Sequence, residues 1–372
     1  MTSATTMRAA LLEEHQKPLS IADDIAVESP GTGEVVVKVS NCGICHSDLT
    51  MVDTPGGAQV PVVLGHEAAG VVEEVGPGVT RLAKGDKVML TPLPPCGHCY
   101  YCVRQQPTLC VDAQGFMTGT RPDGTSPLSR GGKTVYRGFG VGGFGAYTVV
   151  HQNSAVKVPD DTPLEIACVI GCAVQTGVGA VLNTAKVEEG ATVLVTGLGG
   201  IGISIVQGAR LAGASRIIVS DPVAERRDHA ANFGATDVLD PTQDDVVARA
   251  KEITGGIGVD YGFDGAGSAR LVQDCINACR IGGTTVMVGA PMEMMLEIPI
   301  PALFLTHEKK LTGSLLGSCH SHRDVPRFLA LWRKGALDLE GMISQRRPLA
   351  EINKGFDDMR AGRGIRTVLS LG

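Results

Sequence analysis

The chain has 372 residues, too many for one typical domain and suited to two. Hydrophobic residues make up 43% and charged residues 19%, which excludes a disordered chain and allows a large core. The formal net charge of −6 argues against nucleic-acid or anionic-membrane partners, because both need a clustered positive face.

The first residues, Met1 to Arg8, read as a Ser/Thr-rich tail without the charged, apolar and cleavage regions of an export signal. The expectation is a cytoplasmic protein. No run of 18 uncharged apolar residues occurs, so no membrane span is expected. Gly33–Val39, Gly70–Val75 and Gly85–Leu90 are β-rich runs bounded by glycines. Residues 111–145 carry ten glycines and little periodicity, which predicts a long irregular excursion. Phe144–Val150 returns to strand.

From about residue 174 strands alternate with helices. Thr192–Thr196, Arg216–Ser220, Val259–Phe263 and Thr285–Val288 read as strands. Ile203–Leu211 and Val223–Phe233 read as helices. This alternation predicts a doubly wound parallel sheet, α/β in class. Near residue 316 the pattern changes again. Val325, Phe328, Leu329 and Trp332 have helical spacing, and a strand closes the chain at Ile365–Leu369. The expected domains are residues 1–173, 174–315 and 316–372, the middle piece being inserted into a β-rich domain.

Three constellations carry chemistry. Cys96, Cys99, Cys102 and Cys110 lie within fifteen positions. Four thiolates at that spacing close a tetrahedron around Zn²⁺ and leave no open position, so the zinc would be structural, in a lobe over residues 94–112. Cys45, His66 and Cys172 are a dispersed set. Three such ligands would leave a fourth position for water or an alcohol, but spacing alone is a weak signal, since a lone His or Cys is more often a core residue. Third, the strand Thr192–Thr196 runs into Gly197-Leu198-Gly199-Gly200-Ile201-Gly202. A G-x-G-x-x-G between strand and helix is a dinucleotide fingerprint. The helix N-terminus would face a pyrophosphate. Asp221, ending the next strand, would accept hydrogen bonds from the ribose hydroxyls and so favour NAD over NADP.

Together, Cys45, His66-Glu67, the four-cysteine lobe, Cys172 and Gly197–Gly202 stand in the order of the zinc-containing medium-chain alcohol dehydrogenases, which the sequence resembles over nearly its whole length. The resemblance implies a GroES-like β-rich catalytic domain with an inserted Rossmann domain. It implies two zinc ions per chain, NAD, a homodimer and a small alcohol or aldehyde substrate. The implied activity is an NAD-dependent alcohol dehydrogenase, converting primary alcohols, aliphatic or aromatic, to aldehydes. A same-family enzyme acting on carrier-thiol adducts, or mainly reducing aldehydes, is the alternative.

By the same resemblance, Ser47 would take the alcohol proton, Asp48 would orient His66, and Glu67 would lie behind the catalytic zinc. His46, Arg226 and Arg366 would serve the coenzyme, with Arg366 at its phosphates. Thr176, Ile201 and Val288 would pack the nicotinamide. Pro92, Leu93, Ala290 and Leu315, with Phe116 and Phe144, would line an apolar pocket. Two departures stand out. Thr50 occupies the place of a relay histidine in the vertebrate liver-type enzymes. No arginine follows Cys110 where the glutathione-dependent branch has one. Cys42, Cys168, Cys275, Cys279 and Cys319 read as packing.

Overall fold

The computed structural model describes residues 5–290 and 295–372, with the side chains of 114–116 outside the description. It divides into two units. The first comprises residues 1–172, 320–330 and 339–372, and the second residues 173–319 and 331–338.

In the first unit, alternating apolar residues build two β layers. Strands Thr5–Leu12, Ser20–Val27, Leu128–Arg130, Lys133–Arg137 and Val62–Val63 form a closed barrel. A seven-stranded sheet runs beside them, with Glu34–Gly43 and Glu67–Val75 paired antiparallel at its centre. Barrel and sheet share a core that includes Leu11, Ile25, Val37, Leu64, Phe144 and Phe356. Closing the barrel removes exposed strand edges.

Two sequence expectations change here. The N-terminal tail is in strand from Thr5 onward, because Met7, Ala9, Ala10, Leu11 and Leu12 are buried. The excursion over 111–145 is not wholly irregular. Its short strands Leu128–Arg130 and Lys133–Arg137 pair with each other and close the barrel, while its glycines serve the turns.

The second unit holds a six-stranded parallel sheet. Its order is Asp237–Leu239, Arg216–Ser220, Thr192–Thr196, Val259–Asp264, Cys279–Met287 and Lys310–Gly313. This is the doubly wound order that reverses beside the first strand. Helices Val246–Ile253 and Ala269–Ala278 also pack on it; their polar composition hid them in the sequence.

The helical stretch Leu164–Ala185 is long and apolar enough to cross a membrane by length and composition, contrary to the sequence reading. Its apolar window is 83% buried inside the protein, which marks it as a core helix.

Candidate metal and dinucleotide sites

The strand Glu34–Gly43 ends at Gly43, and Cys45 caps the short helix His46–Asp53. The next strand of the sheet starts at Glu67, just after His66. Cys172 lies in a π-helical turn, Ile170–Val174. The metal-capable atoms of Cys45, His66, Glu67 and Cys172 all lie within 4.8 Å of one another.

Asp48 organises this cluster. Its Oδ1 accepts from the Gly65 N–H at 3.0 Å and faces His66 Nδ1 at 3.2 Å. Its Oδ2 accepts from the Cys45 N–H at 3.3 Å. With its proton on Nδ1, His66 presents Nε2 as the free donor atom, a usual arrangement behind metal-binding histidines. Burial alone would lower the His66 pKa, but the Asp48 carboxylate and the Cys45 sulfur raise it well above its ordinary value. A hydrogen bond from Cys172 lowers the Cys45 thiol well below its usual range, burial notwithstanding. The same bond and burial push Cys172 up.

Glu67 is fully buried, and neither carboxylate oxygen has a hydrogen-bond partner. Burial lifts its pKa to about 8, against the pull of Arg366. Arg366 Nη1 stands 3.0 Å from Glu67 Oε1 and donates to the Ile44 carbonyl at 2.8 Å. The structure places Arg366 behind the cluster, buried and paired with Glu67. Ser47 is half-buried, its Oγ 3.8 Å from Cys45 Sγ, and His46 is exposed at the start of the helix.

The donor set fits zinc: two sulfurs and an imidazole nitrogen, with a carboxylate held back by an arginine. The second cluster fits it too. Cys96 Sγ and Cys102 Sγ are 3.9 Å apart, as are Cys99 Sγ and Cys110 Sγ. Sulfurs at the corners of a tetrahedron with Zn–S bonds of about 2.3 Å stand about 3.8 Å apart. None of the 11 cysteines is in a disulfide. The Cys96 and Cys99 N–H groups donate to Cys110 Sγ and Cys96 Sγ, each at 3.3 Å, which suits thiolates. Backbone N–H groups at Cys102 and Val111 lower the Cys99 pKa to about 6.

In the second unit, Gly197 has φ +85°, and a Cβ there would meet Ala266 at 2.6 Å. A Cβ on Gly202 would overlap the Gly197 carbonyl oxygen. Gly199 differs, since a Cβ there would meet nothing within 4 Å. Its glycine is needed by no protein neighbour, which leaves room for a ligand at the N-terminus of the helix Gly200–Leu211. Asp221 is buried; its Oδ2 accepts from the Leu198 N–H at 2.7 Å and its Oδ1 from the Val223 N–H at 2.8 Å. Arg226 Nη1 lies 3.7 Å from Asp221 Oδ2, so part of the carboxylate charge is offset. Buried Thr176 adjoins Gly177, where a Cβ would meet the Ile201 carbonyl oxygen at 2.5 Å. Val288 is buried and donates its N–H to the Asp264 carbonyl at 3.1 Å.

The pocket expectation needs correction at Phe144. That ring is fully buried and meets Phe356 edge-on at 6.3 Å, so it belongs to the core. The Phe116 side chain lies outside the described residues. Sequence reasoning missed Phe139, whose ring centroid is 4.3 Å from that of His66. It adopts φ 54°, a conformation few aromatic residues take, and no sequence signal marks it beyond the flanking glycines. Leu93 is buried and Leu315 exposed.

The description "Alcohol dehydrogenase GroES-like domain" matches residues 31–160, and "Zinc-binding dehydrogenase" matches residues 200–334. An alcohol dehydrogenase class-3 of Cereibacter sphaeroides is 39% identical over 97% of this chain and 99% of that protein. An NDMA-dependent alcohol dehydrogenase of Amycolatopsis methanolica is 37% identical over 97% and 98%. Among solved structures, benzyl alcohol dehydrogenase from Acinetobacter calcoaceticus aligns with TM-score 0.92 at 30% identity, covering 99% and 100% of the two chains. A zinc-binding-domain alcohol dehydrogenase protein from Burkholderia ambifaria aligns with TM-score 0.94 at 34% identity over 100% of both. With both halves of its fold matched by these descriptions, the chain belongs to the zinc-containing medium-chain alcohol dehydrogenase family.

Proposed function

We propose that the protein oxidises neutral primary alcohols to aldehydes, reversibly, with NAD, using one zinc at Cys45, His66 and Cys172 and a second at Cys96, Cys99, Cys102 and Cys110. The observation that carries this is the convergence of two thiols and an imidazole beside the Ser47 hydroxyl. When bound, zinc supplies Lewis acidity towards an alcohol oxygen, and the nicotinamide supplies the hydride acceptor.

The chain's own residues do the rest. Asp48 keeps the proton on His66 Nδ1 and so leaves Nε2 to bind. Ser47 takes the alcohol proton on Oγ and passes it outward. Thr50, exposed on the same helix, cannot complete a histidine relay, so a bound coenzyme's ribose and solvent would have to take over that role. Arg366 neutralises Glu67 and keeps that carboxylate from closing the centre. Phe139 shields the His66 ring, and with Leu93 it provides apolar surface for a substrate tail.

Turnover of an alcohol panel tests this reading, with NAD, NADP and NDMA as acceptors because one relative is named for NDMA. Each buried CH₂ contributes about 0.8 kcal/mol, so kcat/KM should rise about fourfold per CH₂ from ethanol towards hexanol, with benzyl alcohol also good. NAD should outperform NADP, since Asp221 stands where a 2′-phosphate would lie; Arg226 softens that preference. Turnover confined to NADP or NDMA, or a clear preference for ethanol or a hydroxyacid, would defeat it.

The same reading includes a homodimer built on the second unit. Lys310–Gly313 ends the parallel sheet, and all four of its residues are exposed. Nearby in sequence, Ile300 is 64% exposed and Leu305 77%. An open sheet edge with exposed apolar residues nearby in sequence invites pairing with a second copy. Light scattering should return twice the chain mass, and Leu305→Glu should shift it towards the monomer; a monomeric wild type would remove the proposal.

A further inference from the structure

Within the first unit lies a cavity of about 960 Å³. Its wall comes from the turn around Glu28–Glu34, from Pro92 and Pro94, and from the excursion at Arg121 and Arg137–Gly140. The cavity holds several charges, and nearly all are already balanced. Arg121 donates through Nε and Nη2 to the two oxygens of Glu34, each at 2.9 Å, and through Nη1 to Glu28 at 2.7 Å. Asp123 accepts from the N–H and hydroxyl of Thr125. Asp112 faces His98 at 3.7 Å, and both side chains are exposed.

Arg137 is the exception. It alternates with Val135 on the inward side of its strand and is 4% exposed. Its Nη1 donates to the Val149 carbonyl, and its buried Nε has no partner. Among the described residues no carboxylate forms an ion pair with it, since the carboxylate it feels most, Glu34, is gripped by Arg121. A buried guanidinium without an anion is costly. Burial, with Arg121 adding to it, pulls its pKa down to about 10, and Glu34 only partly opposes them. His151, also on the wall, accepts the Asn153 N–H on Nδ1, which puts the proton of the neutral ring on Nε2 as a further donor.

We propose that this cavity is a binding site for a small oxyanion, a carboxylate or a phosphate, held by Arg137. A guanidinium edge matches such anions with two parallel hydrogen bonds. Pro92, Pro94 and Phe139 offer apolar walls for the body of an organic acid. The cavity shares Pro92 and Phe139 with the apolar surface proposed for the alcohol, but the anion contact at Arg137 does not require the dehydrogenase reading.

Calorimetric titration of the purified full chain with benzoate, and separately with inorganic phosphate, tests the proposal. Saturable binding that weakens at least tenfold in Arg137→Met, about 1.4 kcal/mol, is the expected result. Arg137→Lys should keep part of it. Binding of benzoate alone assigns an organic carboxylate, and binding of phosphate alone assigns phosphate. No saturable heat from either anion, or equal affinity in wild type and Arg137→Met, overturns the proposal. Should Arg137→Met not fold, crystals of the wild type soaked with 4-bromobenzoate decide. Bromine signal in this cavity supports the site, and bromine elsewhere or nowhere overturns it.

Discussion

Replacing Cys172 with serine is expected to lower kcat/KM for the best alcohol by about a thousandfold or more, the equivalent of about 4 kcal/mol of lost charge stabilisation. Serine keeps the volume and removes the soft sulfur that completes the donor set with Cys45 and His66. The side chain sits within a buried helical stretch whose packing comes from Ile166, Ala167, Val169 and Val174, so folding should survive. Circular dichroism should be unchanged while zinc content falls from two per chain to one. Activity within tenfold of wild type, or two zinc ions still bound, would show that Cys172 is not a ligand.

Cys99→Ser should act in the opposite way, on stability before chemistry. The lobe around residues 96–110 has little core of its own. Its first 3₁₀ turn, Cys102–Arg104, buries no residue, and Tyr100 and Val103 are each 61% exposed. Little apolar surface beyond Pro107 is buried in those turns, so the metal must hold them, and metal binding is then folding free energy. If about 3–4 kcal/mol of that free energy reaches global stability, Tm falls by about 4–5 °C in a chain of this size. Turnover per remaining active site at low temperature should be largely kept. A Tm equal to wild type would end the structural-zinc assignment.

These two clusters differ in how visible they are in the sequence. The four cysteines are neighbours along the chain, so their spacing already encodes a tetrahedron. Cys45, His66 and Cys172 meet only because a strand end, a strand start and a helical turn converge, and no local spacing carries that; family resemblance was needed to single them out. The parallel sheet was legible because strand and helix periods alternate cleanly from Thr192 to Ser220. The barrel strands Leu128–Arg130 and Lys133–Arg137 were hidden, being short and set among glycines. Phe144 misled because an aromatic residue between glycines suits a loop as well as it suits a core. Arg366 was singled out by resemblance alone, and its pairing with Glu67 and the Ile44 carbonyl is something no local spacing carries.

The π-helical turn at Ile170–Val174 makes the third ligand a matter of helix phase. An α-helix turns about 100° per residue, and a π turn closes its hydrogen bonds one residue later, so it holds one residue more than its neighbours. Remove that extra residue and the helix becomes regular, but every side chain on one side of the deletion rotates by more than a quarter turn against the other. The thiol of Cys172 and the helical run that follows could then no longer both keep their present directions. The metal centre therefore depends on residue count in this turn as firmly as on residue identity, and a chain could lose its third ligand here with every cysteine intact.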